Sequence, residues 1–205
     1  MTVDLEAAKA FMAGHARVID RYRLLRLLGE GQADQALSAL AAYRNPDGGY
    51  GWGLEPDLRS ASSQPVGAMH AMEVLAECAP VPTPEVVELC DWLQTHTRSD
   101  GGLPLALPVE DPAGSSPIWT GADPEASSLQ MTSQVAANAH KLAVHHPEIG
   151  EHPWLGAATR YCLEEISRMD RAPHAFELMF SLRFLDAAAP RIHEAEAALD
   201  ELGPH

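Results

Sequence analysis

The chain has 205 residues, 46% of them hydrophobic, and a formal net charge of −15. That is enough for one sizeable domain with its own core, taken here as residues 1–205. The acidity excludes a nucleic-acid binder, because a phosphate backbone would be repelled rather than neutralised.

The three cysteines, Cys78, Cys90 and Cys162, lie far apart inside apolar, helix-like segments. Their odd number and the lack of CxxC spacing speak against a disulfide framework or a zinc ribbon. They read as buried reduced thiols, which fits a reducing cytoplasm. Asp4 and Glu6 interrupt any N-terminal basic-plus-apolar signal, and no apolar run approaches the roughly 20 residues that span a bilayer. A soluble, cytoplasmic protein without a membrane span is expected.

In chain order, the periodicity predicts eight helices. Asp4–Leu28 places Leu5, Ala8, Phe11, Met12, His15, Ile19 and Tyr22 near one face, with Asp4 as N-cap and Gly29-Glu30-Gly31 as the stop. Ala33–Tyr43 follows and ends at Asn45-Pro46-Asp47-Gly48, where proline disfavours helix before it and Asp-Gly favours a turn. Gln64–Ala79 is the third, broken by Pro80-Val81-Pro82. Val86–His96 is the fourth, with Thr83 as N-cap and Pro84 at the first helical position. Ser127–His145, Pro153–Met169, His174–Ala188 and Arg191–Leu202 complete the set. Strand-like alternation is absent, so the fold class is all-α.

Between the second and third helices runs YRNPDGGYGWGLEPDLRSASSQ, residues 43–64. Gly48, Gly49, Gly51 and Gly53 surround Tyr50 and Trp52, and a carboxylate pair, Glu55 and Asp57, flanks Pro56. Glycine supplies the close backbone approach that a tight aromatic turn requires. A second copy appears: Asp47-Gly48-Gly49 is answered by Asp100-Gly101-Gly102 at an offset of 53, and Ala61-Ser62-Ser63 by Ala126-Ser127-Ser128 at an offset of 65. The second loop thus carries 12 extra residues and contains Trp119; a loop of that length usually has a task. Helix pairs separated by such loops cannot bury their apolar faces alone and must stack on neighbours.

DGGYGWG followed by a helix led by Gln64 resembles the repeat of the prenyltransferase and squalene/oxidosqualene cyclase superfamily, over roughly residues 33–145, with 150–205 similar as helix rhythm. The resemblance implies an α/α toroid whose inner helices line a central cavity, and prenyl transfer or terpenoid cyclisation as the reaction class. Eight helices make an incomplete ring. The third pair has Met169-Asp170-Arg171-Ala172-Pro173 in place of an Asp-Gly-Gly loop, and Gly203-Pro204-His205 follows the last helix. An open arc, completion by a second subunit and a shortened relative are the alternatives; an exposed apolar edge favours a homodimer.

The superfamily's catalytic motifs are missing from this sequence. There is no Asp-x-Asp-Asp acid motif, no Asp-x-Cys for a zinc site and no Asp-Asp-rich magnesium motif. His96 and the His145-His146 pair lack a partner at metal-ligand spacing. No Gly-x-Ser-x-Gly and no phosphate-binding glycine pattern occurs either. No metal and no cofactor are expected. The remaining catalytic candidates are Glu55 and Asp57, one of which would act as acid or base if desolvated against the aromatics. The competing reading is that they brace the turn. Tyr50, Trp52, Gln64, His70, Trp119 and His174 are the candidate ligand-binding residues, with Gln64, Gln130 and Gln134 read preferentially as caps. Trp119 and Asp123 would form a lid.

The expected function is a terpenoid cyclase- or prenyltransferase-like protein holding an isoprenoid or other apolar ligand. The alternative is a non-catalytic binding or scaffolding module of the same fold. A weaker third is a carbohydrate-active α/α barrel using Glu55 or Asp57 with Asp123 or Glu125.

Overall fold

A computed structural model describes residues 4–81, 83–169 and 174–202. The readings made above at Pro82, at residues 170–173 and at Gly203-Pro204-His205 lie outside these described residues. Within them the chain is all-helical, with no strand and eleven helices rather than the expected eight. The count rises because the first predicted helix is two, and because two single-turn helices form in connections predicted as loop. Among the described residues no helix is long and apolar enough to cross a membrane. The chain divides into two compact units, Met1–Ala42 and Tyr43–His205.

The first unit holds α1 (Leu5–His15), α2 (Val18–Leu27) and α3 (Ala33–Ala41). Asp4 caps α1 as expected, its Oδ1 accepting the Ala7 N–H at 3.0 Å. The helix then breaks because Ala16 and Arg17 are extended, with ψ of 157° and 154°. The Arg21 side chain stabilises the break by donating to the Ala16 carbonyl at 2.8 Å. Gly29, at φ 74°, ends α2 as the sequence suggests. Ala33, Ala36 and Leu40 bury the inner stripe of α3, which packs on α2.

The second unit is built in two rows. α4 (Pro65–Cys78), α7 (Leu129–Ala143) and α10 (Ala175–Ala188) form one row, with α7 packed between the other two. α5 (Glu85–His96), α9 (Pro153–Ser167) and α11 (His193–Leu202) form the second, α9 touching α5, α7 and α11. The one-turn helices are α6 (Pro117–Thr120) in the long loop and α8 (Pro147–Gly150) between α7 and α9. Flanked on several sides, α7 buries all but three of its fifteen residues. It carries Thr132, Ser133, Gln134, Asn138 and His140 into the interior.

Each Asp-Gly-Gly segment forms the same clamp. Asp47 Oδ1 accepts the Gly49 N–H at 2.9 Å and the Ser63 hydroxyl at 2.8 Å. Asp100 Oδ1 accepts the Gly102 N–H at 2.9 Å and the Ser127 hydroxyl at 2.7 Å. Isolated antiparallel bridges close both turns, Arg44 with Tyr50 and Pro104 with Ser127. Gln64 N–H then bonds the Tyr50 carbonyl, and Ser128 N–H the Leu103 carbonyl, so each turn delivers the chain directly into α4 or α7. The structural offset is therefore 64, Ser63 matching Ser127, one residue short of the offset read from Ala-Ser-Ser alone.

The second glycine of each clamp is required by close approach. A Cβ on Gly49 would lie 2.6 Å from both Ser63 Cβ and the Trp92 ring, and one on Gly102 would lie 2.5 Å from Ser127 Cβ. Trp92 on α5 and Tyr161 on α9 occupy corresponding places behind the two turns.

Candidate functional site

Loop 43–64 folds back on itself and places its named residues in different surroundings. Tyr50 is 1% exposed. Burial pushes its phenol up to about 12, so it fills the turn as a neutral plug. Trp52 does the opposite. Its backbone takes φ 55°, the left-handed region that a bulky side chain adopts at a cost. The residue is 59% exposed all the same. The indole N–H donates to Asn45 Oδ1 at 2.8 Å, and Asn45 Nδ2 donates to the Ala61 carbonyl and to Ser63 Oγ. The ring is thus pinned at its edge to the clamp on a residue that is largely exposed.

Glu55 is used by the fold. Its Oε1 accepts the Asp57 N–H at 2.9 Å, and its Oε2 meets His70 Nε2 at 2.9 Å. His70 lies on α4, and its Nδ1 meets Glu73 Oε2 one turn later at 3.1 Å. Glu73 Oε1 in turn accepts from Gln134 Nε2 of α7 at 2.9 Å. Burial alone would lower the imidazole pKa; the hydrogen bonds to Glu55 and Glu73 outweigh it and raise His70 to about 9. The ring is therefore an imidazolium at neutral pH, with both N–H groups donating to carboxylates. A group that holds its proton that firmly is a poor general acid near pH 7. Its evident work is to join the first loop, α4 and α7.

Gln64 is 2% exposed. It occupies the N-cap position of α4 without a side-chain cap bond, so the expectation of capping is corrected. Its Oε1 instead accepts the Leu107 N–H of the long loop at 2.9 Å. Two further bonds tie the loops: Ser116 N–H to the Asp57 carbonyl at 2.7 Å, and Arg59 N–H to Ser115 Oγ at 3.0 Å. Trp119 lies in α6, partly buried, its indole nitrogen without a partner among the described residues. Asp123 Oδ1 accepts the Glu125 N–H, and Glu125 pairs with Arg98, so both brace their own turn. His174 is exposed at the start of α10, where its Nδ1 accepts the Phe176 N–H at 3.3 Å.

The structure thus brings together Glu55, His70, Gln134, which bonds Glu73 rather than capping a helix, and one residue not singled out in sequence, Glu73 itself. The i, i+3 spacing of His70 and Glu73 on a helix was a visible signal; the reach to Gln134 was not. A buried histidine, His140 on α7, also escaped notice. Its Nε2 meets Thr159 Oγ1 at 2.9 Å, and burial, helped by Arg191, pushes it down to about 4.

A void of about 10 Å³ lies among Gly51, Glu55, Ser60 and Gln64, room for about one water. A larger cleft of about 300 Å³ sits in the first unit, lined by Met12, Val18, Tyr22, Leu25 and the cations Lys9 and Arg21. Lys9 there is already paired with Glu6 and Glu30. Among the described residues no group of three or more His, Cys, Asp or Glu is placed to hold a metal ion. No family model, no curated protein and no solved structure matches the chain.

Proposed function

We propose that the second unit is a non-catalytic binding module built as an α/α-toroid-like array of helical hairpins. Its binding surface is the loop face that the Asp-Gly-Gly clamps hold rigid, and Trp52 is the contact residue. The observation that carries the reading is the conformation of Trp52: left-handed backbone, edge pinned by Asn45, ring exposed. A fold gains little from displaying an indole on a strained residue, and strain of this kind collects at binding sites. The Glu55 carboxylate of the same loop fits a structural role better than a catalytic one, since it is engaged with His70 and the Asp57 N–H.

Trp52→Gly tests this against a purely structural role. Relief of the left-handed strain offsets the lost indole hydrogen bond, so the unfolding free energy stays within about 1 kcal/mol of the wild type or rises. Trp52→Ala keeps the strain and loses the bond, and is less stable than Trp52→Gly. Equal losses of more than about 2 kcal/mol in both variants would mark Trp52 as a stability residue and sink the proposal.

A second reading, a terpenoid cyclase- or prenyltransferase-like protein with an isoprenoid ligand and a dimeric assembly, is favoured by exposed apolar side chains on α10. Phe176 is 51% and Leu178 37% exposed. Native mass spectrometry after incubation with farnesol distinguishes it. A dimer carrying the adduct supports this reading, and a bare monomer removes it.

A further inference from the structure

The surroundings of Trp52 say what kind of molecule its ring receives. Segment 57–62 runs beside Trp52, held there by the Gly53 N–H bond to the Ser60 carbonyl at 3.3 Å and by Asn45 Nδ2 on the Ala61 carbonyl. Leu58 turns inward and is 2% exposed, so its neighbours Asp57 and Arg59 both face outward. The Arg59 stem passes over two glycines. Its Cδ lies 3.8 Å from where a Cβ on Gly53 would be, and its Cγ 3.3 Å from the same point on Gly114. Neither the Arg59 guanidinium nor the Asp57 carboxylate forms an ion pair or side-chain hydrogen bond among the described residues; the bonds at these positions are made by their backbone N–H groups, to Ser115 Oγ and Glu55 Oε1. Ser62, also exposed, shares a hydrogen bond with Ser60 Oγ at 2.7 Å.

The face therefore combines a rigid, exposed indole with an unpaired forked donor, an unpaired acceptor and a hydroxyl. A small anion is disfavoured by Asp57, and a small cation by Arg59. A purely apolar ligand would leave both charges desolvated and unanswered. A pyranose satisfies all of them. Its axial C–H groups carry slight positive charge and lie against the negative face of an indole. Its vicinal hydroxyls accept from a guanidinium and donate to a carboxylate, the strong charge-assisted class of hydrogen bond.

We infer that the Trp52 face is a saccharide-binding site, with the indole stacking one pyranose ring and Asp57 and Arg59 bonding its hydroxyls. The inference rests on the proposed role of Trp52 as a contact residue. It involves no bond cleavage.

Tryptophan fluorescence tests it, because Trp92 and Trp154 are buried and Trp52 is the most exposed of the four. The full-length protein is titrated separately with maltohexaose, cellohexaose and chitohexaose. At least one of them shifts and quenches the emission saturably. Trp52→Gly abolishes that change, and the Asp57→Asn/Arg59→Ala double variant weakens the affinity about tenfold or more with an unchanged melting temperature. Silence with all three saccharides overturns the inference, as does an affinity that survives in Trp52→Gly. Quenching by farnesol but by no saccharide also overturns it, while leaving Trp52 a contact residue. The stability comparison of the glycine and alanine variants is independent of any sugar, so failure of the platform and failure of the ligand class are separately visible.

Discussion

The two Asp-Gly-Gly clamps share a design and differ in one corner. Asp47 and Asp100 both gather a glycine N–H and a serine hydroxyl. Asp47 takes a third bond, from the Trp92 indole N–H at 3.2 Å; Asp100 has Tyr161 behind it and no such bond among the described residues. At the place where the first clamp has Asn45, the second has Arg98. Both residues give their N–H to the second glycine's carbonyl, Gly49 at 2.9 Å and Gly102 at 2.8 Å. Asn45 then turns its side chain to hold Trp52, whereas Arg98 reaches away to Glu125 and the Pro124 carbonyl. What is common to the copies builds the rows of helices. What is peculiar to the first copy displays a side chain to solvent.

The common part is where substitution is most damaging. Gly49→Ala and Gly102→Ala each drive a methyl group to 2.6 Å or closer to packed neighbours, and each should cost about 3 kcal/mol or more in chemical denaturation. If glycine served these positions only as a flexible residue, alanine would be nearly harmless in both. A smaller effect separates the copies. Asp47→Ala strands three donors and Asp100→Ala two, so their losses should differ by about 1 kcal/mol. Trp92→Phe, which deletes the third donor along with part of the ring, should bring the two aspartate effects together in a double-mutant cycle, where the packing loss cancels. Equal losses without that substitution would show that the indole bond contributes nothing.

A further contrast sets His70 against His140 across pH. His70, raised to about 9 from an ordinary value near 6.5, gives stability that is complete below pH 6.5 and lost as pH rises through 9. His140, lowered to about 4, stays neutral in the fold. The unfolded chain therefore takes up the extra proton between pH 6.5 and 4, and stability falls as pH falls through that window. Together they place maximum stability near pH 6.5, with a loss on the alkaline side on the order of 2 kcal/mol. His70→Gln should flatten the alkaline limb alone and His140→Gln the acidic limb alone. A His70→Gln protein with an unchanged alkaline limb would mean that Glu55 and Glu73 do not hold the imidazolium.

Helices were legible wherever one apolar face was long enough to set a period, as in α4, α7 and α9. The break at Ala16-Arg17 was not, because it depends on the Arg21 side chain bonding a carbonyl rather than on a helix-breaking residue. α6 was missed since a single turn has no period. The clamps are visible as Asp-Gly-Gly, yet their bonds to serine are not: Ala-Ser-Ser aligns by identity at an offset of 65, while the bonds, counted from the helix start, align at 64. Trp52 and Tyr50 looked alike as neighbouring aromatics. Backbone direction alone separates them, turning one into the loop and the other out of it. Gln64, read as a cap, went to Leu107, a contact 43 positions away that no local pattern announces.

That Gln64–Leu107 bond, together with the Asp57–Ser116 bond, closes the chain on itself around α4 and α5. The segment between them is laced into a ring without a covalent crosslink. Ring closure on this scale carries an entropic cost that grows only slowly with length, and the Glu73–Gln134 bond ties α4 inside that ring to α7. Local opening, which in stacked helical pairs can proceed one pair at a time, is thereby coupled here across two pairs. Residues 43–143 should come apart as one cooperative piece.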